Sequence, residues 1–165
     1  MLTIVEYPDA VLLKQAAEVT VFDADLRMLI DSMAEAMYVS NGVGLAAPQV
    51  GRSQRLLLID PSGGEEANGL MALINPRVTW RSPEQEHGEE GCLSLPGVGL
   101  LVPRAAAIDI EYHDAMGKLQ QMRCTGFKAR VVQHEVDHLD GILMLDRVSH
   151  LERKLALKKG LGKVK

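Results

Sequence analysis

His134-Glu135-Val136-Asp137-His138 sets two imidazoles four residues apart with a carboxylate beside the first. In a helix, residues four apart lie one above the other on the same face. Two imidazoles so placed can grip one metal ion, and the neighbouring carboxylate can handle protons on a water bound to it. The chemistry this points to is metal-assisted hydrolysis. Such a site needs at least one further protein ligand and one position left open for water. His150 is the only histidine downstream, but it follows a helix stop and a separate apolar segment, which argues against it. Cys92, in Glu90-Gly91-Cys92-Leu93-Ser94, offers a thiolate, although a buried cysteine is more often a small hydrophobe than a ligand. His87 reads as a loop histidine, and Cys124 as a strand or core residue.

The element that must carry the motif is a helix from Gly126 to Leu139, with Thr125 as its cap and Asp140-Gly141 as its stop. At about 100° per residue, Phe127, Val131, His134 and His138 share one arc. Val132, Val136 and Leu139 form a second, core-facing arc, and Arg130, Gln133 and Asp137 a third. Imidazoles beside apolar side chains suit a metal site next to an apolar pocket. Arg130 and Asp137 are expected to pair with each other or to bond to loops, and His113 to end a strand in solvent.

Upstream, Asp9 to Glu18 is expected as a short helix. A longer one begins behind Asp23, since Leu26, Ile30, Met33 and Met37 recur at helical spacing, and Ser40-Asn41-Gly42 ends it. Gly42 to Gly51 is rich in Gly, Ala and Pro. Its Gly42-x-Gly44-x-x-Ala47 loosely fits a dinucleotide-binding turn, but that turn needs a strand before it and a helix after it. Here the order is reversed. Strands are expected over Arg55 to Asp60, Leu70 to Asn75, Val78 to Arg81, through Ile108, Ile110 and Tyr112, and over Lys118 to Cys124. Ser82 to Glu90 is polar and acidic, and Leu95-Pro96-Gly97 reads as a turn.

The 165 residues suit one domain with one core, and 47% hydrophobic content makes that core possible without staples. The expected class is α+β: short mixed or antiparallel sheets around a central metal-binding helix, residues 1–165 forming a single domain. A helical tail at about 150–165 carries a net charge of about +5. The net charge of −4 argues against general nucleic-acid binding, and no direct DNA contact is expected. No apolar run approaches a membrane span. Met1 to Pro8 has the look of neither a signal nor a transit peptide. A cytoplasmic protein is the default, in which a Cys92–Cys124 disulfide is not expected.

Three segments together resemble the peptide deformylase family, in order and over nearly the whole chain. They are Gly42-Val43-Gly44-Leu45-Ala46-Ala47-Pro48-Gln49, Glu90-Gly91-Cys92-Leu93-Ser94 and His134-Glu135-Val136-Asp137-His138. The resemblance implies that Cys92, His134 and His138 hold the metal with water as fourth ligand, and that Glu135 is the general base and acid. It implies that the Gln49 side chain and the Leu93 backbone N–H polarise the formyl oxygen. The reaction implied is removal of the N-formyl group from the formyl-methionine of nascent polypeptides, releasing formate. Fe²⁺ is the implied natural metal, with Zn²⁺, Ni²⁺ or Co²⁺ able to take its place.

The Gly42–Gly51 stretch would then form one wall of a cleft, with Gly44 pairing along an extended substrate and Gly91 allowing close backbone approach. Val43, Phe127 and Val131 are expected to line the methionine pocket. Arg104 matches a family position near the cleft mouth, where it would touch substrate; a solvated or ion-paired arginine is the alternative. The basic tail is read either as a solvated helix or as a ribosome contact. Two rivals stand beside this reading: a metallopeptidase cutting internal peptide bonds, and a non-catalytic paralogue that binds formyl-peptides or ribosomes.

Overall fold

The computed structural model describes residues 1–163, so Val164 and Lys165, the end of the expected tail, lie outside the described residues. Helix α1 spans Ala24–Val39. It starts where Asp23 accepts a hydrogen bond from Leu26 N, the reach of an N-cap side chain. It stops at Asn41, whose φ is +57°. Next come β1 (Gly44–Ala46), β2 (Leu56–Ile59), β3 (Met71–Arg81), β4 (Gln85–Cys92) and β5 (Leu95–Ala105). They are followed by β6 (Ala107–His113), β7 (Leu119–Thr125), α2 (Gly126–Leu139) and α3 (His150–Lys163). The strands form a five-stranded sheet in the order β1-β2-β3-β6-β7 and a separate β4–β5 hairpin, with antiparallel pairing in both.

Successive residues of a strand point to opposite faces, and β2 uses both. Leu56 and Leu58 pack with Leu26, Ile30, Met33 and Met37 of α1. Leu57 and Ile59 pack with Val132, Val136 and Leu139 of α2. The sheet thus lies between α1 and the metal helix. Each fully buried aliphatic side chain here contributes about 1.5–3 kcal/mol through area removed from water. The β4–β5 hairpin covers α2 from another side. It has its own apolar cluster, in which Leu95, Val98, Leu100 and Val102 meet Leu143, Met144, Leu145 and the Ala156 and Leu157 of α3.

Four local expectations are corrected. Asp9 to Glu18 is not a helix but a single 3-10 turn, Ala10–Leu13. The rest of that segment takes tertiary backbone partners instead: Ala16 N donates to Leu139 O (2.8 Å) and Ala17 N to Ser53 O (3.0 Å). The two strands expected around Pro76 are one strand with a register shift between Ile74 and Arg77. Pro76 has no N–H to give a ladder and sits in that irregularity. Ser82 to Glu90, polar and acidic in sequence, contains most of β4. The turn between the strands falls at Leu93-Ser94, two residues before the expected Leu95-Pro96-Gly97, which instead opens β5 with a register irregularity and a φ of +76° at Gly97.

Candidate active site

All ten residues of α2 from Ala129 to Leu139, bar Arg130, are buried, and its three arcs meet three different surroundings. The Phe127, Val131 and His134 arc lines a cleft of about 490 Å³, with Glu135 beside it. The second arc enters the core under the sheet. The third meets the hairpin: Arg130 bonds Glu90 Oε2 (2.7 Å), Gln133 bonds Ala105 N and O, and Asp137 bonds Arg104 (2.6 Å). Arg130 and Asp137 therefore each have ion-pair partners, but not one another. A groove of about 560 Å³ near Glu18 and Arg52 is larger, yet no His or Cys lines it.

Cys92 ends β4 at the tight turn, which turns its thiol toward α2. The ligand atoms of Cys92, His134 and His138 lie within 4.8 Å of one another, and Cys92 Sγ is 3.4 Å from His138 Nε2. His134 Nδ1 is 2.8 Å from Glu90 Oε1. Donation from Nδ1 to a carboxylate fixes the tautomer that leaves Nε2 as a ligand. Burial, reinforced by the charge of His134, holds His138 well below the usual histidine range, so it stays neutral. Burial opposes charge on His134 too, but the Cys92 and Glu90 partners outweigh it and raise His134 to about 10. Metal uptake there displaces a proton. A thiolate and two imidazoles at these spacings are a donor set that a divalent transition metal fits.

Glu135 is 4% exposed, and its Oε2 has no hydrogen-bond partner among the described residues. Burial pushes its carboxyl up to about 7 against the pull of His134, near the range suited to proton transfer at neutral pH. Gly44 makes room for it: a Cβ there would lie 2.8 Å from Glu135 Oε1 and 3.0 Å from Val131 Cγ1. Across the cleft, Gln49 Oε1 accepts from Ala46 N (2.9 Å). That bond orients its amide nitrogen toward Ser94 Oγ (3.2 Å) and Cys92 Sγ (3.6 Å).

Glu90 is the residue whose role the sequence did not disclose. Burial alone would raise its carboxyl, but hydrogen bonds and charge from Arg104 and His134 outweigh this and hold it down to about 2. Glu90 does stand in the cysteine segment, but its partners lie 14, 40 and 44 residues away, where no spacing rule points. Val43, Gly44, Gly91, Leu93, Phe127 and Val131 all line the cleft, with Leu95 and Val98 as further wall residues. Arg104 does not. It is 5% exposed and bound to Glu90 and Asp137, so the ion-paired alternative holds and the cleft-mouth position is corrected. His87 is exposed. His113 is half-buried against Phe22, rather than free in solvent. Cys124 is buried in the core.

A thiolate and two imidazoles gathered beside a buried carboxylate, at the floor of a partly apolar cleft, define a metal-dependent hydrolase. The chain belongs to the polypeptide deformylase family, whose family model matches residues 1–154. It is 46% identical over 159 residues to the peptide deformylase of Thermodesulfovibrio yellowstonii, covering 96% of each chain. It is 44% identical over 153 residues to that of Thermotoga maritima, covering 93% of this chain and 90% of the other. Among solved structures, a Synechococcus elongatus peptide deformylase in complex with actinonin superposes with a TM-score of 0.92. That protein is 41% identical, with 96% of this chain and 86% of that one covered. The function of this family is removal of the formyl group from nascent peptides. No helix among the described residues is long and apolar enough to cross a membrane.

Proposed function

We propose that this cleft hydrolyses the N-formyl group of formyl-methionyl chains, with Cys92, His134 and His138 holding the metal and Glu135 moving the proton. The observation that supports this most is the meeting of those three ligand atoms within 4.8 Å beside a buried carboxylate with an unpaired oxygen. A divalent ion in this site, when bound, supplies Lewis acidity toward a water and a carbonyl oxygen. Glu135, near neutrality in pKa, takes the proton from the attacking water and delivers it to the departing amine. The Gln49 amide and the Leu93 N–H donate to the oxygen that gains charge; losing one such donor typically costs about 10²–10³ in rate. Val43, Phe127 and Val131 hold the methionine side chain, while Gly44 and Gly91 let the substrate backbone lie close.

The native metal in this reading is Fe²⁺, because a thiolate with imidazoles suits it and the family resemblance favours it; Zn²⁺, Ni²⁺ and Co²⁺ share the donor preference. The protein works in the cytoplasm, where formylated chains emerge, and its basic C-terminal helix is either a solvated helix or a contact to the ribosome. The direct test loads the chain anaerobically with Fe²⁺ and assays formyl-Met-Ala-Ser beside Glu135→Gln. The reading requires formate release by the first, and retained metal with rates at least about 10²-fold lower in the second. Casein cleavage without formate release would favour the metallopeptidase instead.

A further inference from the structure

A continuous chain of charge runs from the metal-facing histidine to the protein surface, and its outer end lies outside every catalytic role above. His134 Nδ1 meets Glu90 Oε1 at 2.8 Å. Glu90 is gripped by Arg104 through Nε and Nη2, both at 2.9 Å. The third Arg104 nitrogen, Nη1, reaches Asp137 Oδ2 at 2.6 Å. Asp137 in turn is gripped by Arg147 through Nη2 to Oδ1 (2.7 Å) and Nε to Oδ2 (3.0 Å). Glu90, Arg104 and Asp137 are buried, while the Arg147 side chain is 42% exposed.

We infer that Arg147 is a positioning residue for the metal site, acting through Asp137, Arg104 and Glu90 on His134. Two buried carboxylates share the Arg104 guanidinium, and Glu90 takes one further bond, from Arg130 (2.7 Å). A planar guanidinium prefers the two-bond grip on a carboxylate, and Arg104 gives that grip to Glu90 and a single bond to Asp137. The division holds because Arg147 satisfies both oxygens of Asp137. Without Arg147, Asp137 Oδ1 is left buried and unpaired, which is costly. Arg104 then turns its two-bond face to Asp137. Glu90 loses part of the contact that aims it at His134 Nδ1, and the histidine loses its fixed tautomer and ring plane. Partners behind a metal ligand typically contribute 10–100-fold in metal affinity. Arg147 stands further out than the direct partner, so the expected effect is about 10-fold, at the lower end of that range.

The inference rests on Cys92, His134 and His138 being the metal ligands. Its test is equilibrium Co²⁺ binding by the full apo-protein, read by the thiolate-to-metal absorption band and by competition with a chromophoric chelator. Wild type must first bind one Co²⁺ with that band; failure there would undo the proposed function and not this coupling. Arg147→Ala is expected to weaken Co²⁺ about 10-fold and to shift the thiolate-to-metal band. Arg147→Lys keeps the charge but lacks the two-bond fork, and should recover thermal stability more than it recovers affinity. Arg55→Ala is the control: Arg55 binds Leu139 O and Asp140 at the end of the same helix but not the charge chain. It should lower the melting temperature while leaving affinity within about twofold. If Arg147→Ala does not fold, a several-fold weaker affinity in Arg147→Lys supports the inference. Unchanged affinity in the foldable Arg147 variants, or equal losses in Arg55→Ala, would overturn it.

Discussion

At the scale of single residues, Gly44 decides where the proton-moving carboxylate can sit. A Cβ at that position would lie 2.8 Å from Glu135 Oε1 and 3.0 Å from Val131 Cγ1, closer than van der Waals contact allows. Gly44→Ala must therefore push the carboxylate or the pocket wall aside. Misplacement of a catalytic group by about 1 Å can cost about 10²-fold in rate. We expect kcat/KM for formyl-Met-Ala-Ser to fall by roughly that factor, with metal content unchanged. A variant with near wild-type kinetics would show that the close approach does not matter. His134, Glu135 and His138 announce themselves in the sequence because helix periodicity turns a spacing into a shared face. Cys92 and Gln49 needed the family resemblance, since a lone Cys or Gln has many bland uses. Glu90 and Arg104 were opaque for a physical reason: an ion pair between residues 14 apart depends on strand register, which local pattern does not encode.

Among elements, α1 and α2 were readable from their stops and apolar arcs, which agree with one another; the Asp23 cap of α1 makes its bond, while Thr125 stands at the N-cap of α2 without a side-chain bond. The β4–β5 hairpin was not. Gln85-Glu86-His87-Gly88-Glu89 has no alternation to betray a strand. Its pairing is held by β5 behind it and by Arg130 of α2, which reaches Glu86 O (2.7 Å) and Glu90 (2.7 Å). The first ten residues after Pro8 misled in the opposite direction, because tertiary bonds outcompeted a local helix.

One inter-element contact has a clear pH signature. Asp60, just past β2, is buried and accepts from Tyr38 of α1 (2.6 Å), Ser62 Oγ (2.5 Å) and two backbone N–H groups. Burial would raise its carboxyl, but these bonds, led by Ser62 and Tyr38, hold it below the ordinary value. Burial, then Asp60, push the Tyr38 hydroxyl up to about 12. A raised folded-state pKa gives stability that is complete below the unfolded value, about 10, and lost as pH climbs through the folded one. Tyr38→Phe should therefore cost about 1.5–3 kcal/mol near pH 7, the value of a hydrogen bond to a charged group. The gap to wild type should narrow between about pH 10 and 12. Urea unfolding of both proteins across that range reads it; a gap that stays constant would mean the bond does not stabilise the fold.

At the scale of the whole molecule, charge is divided between an acidic body and a basic end. The chain carries −4 overall, yet its last sixteen residues carry about +5. The fold changes how that end can be tested. Ala156 and Leu157 pack into the cluster of Leu95, Val98 and Leu100, and Gly160 lies so close to Val98 that a Cβ there would collide with its Cγ2. Because Leu95 and Val98 also line the cleft, deleting α3 would strip the backing from a cleft wall. Loss of activity or binding after such a deletion would say nothing about ribosomes. Lys154, Lys158 and Lys159 are exposed, so reversing them to Glu leaves the buried seam alone and takes the tail from about +5 to about −1. Contacts to phosphate backbones weaken steeply as positive charge is removed or salt is added. The proposed ribosome contact therefore predicts two things of wild type: co-sedimentation with ribosomes at low salt, and release as salt rises. The triple variant should fail to co-sediment at any salt concentration, yet hydrolyse formyl-Met-Ala-Ser at close to the wild-type rate. Equal co-sedimentation of the two proteins would remove the tail from the docking surface and leave it as the brace of the cleft wall.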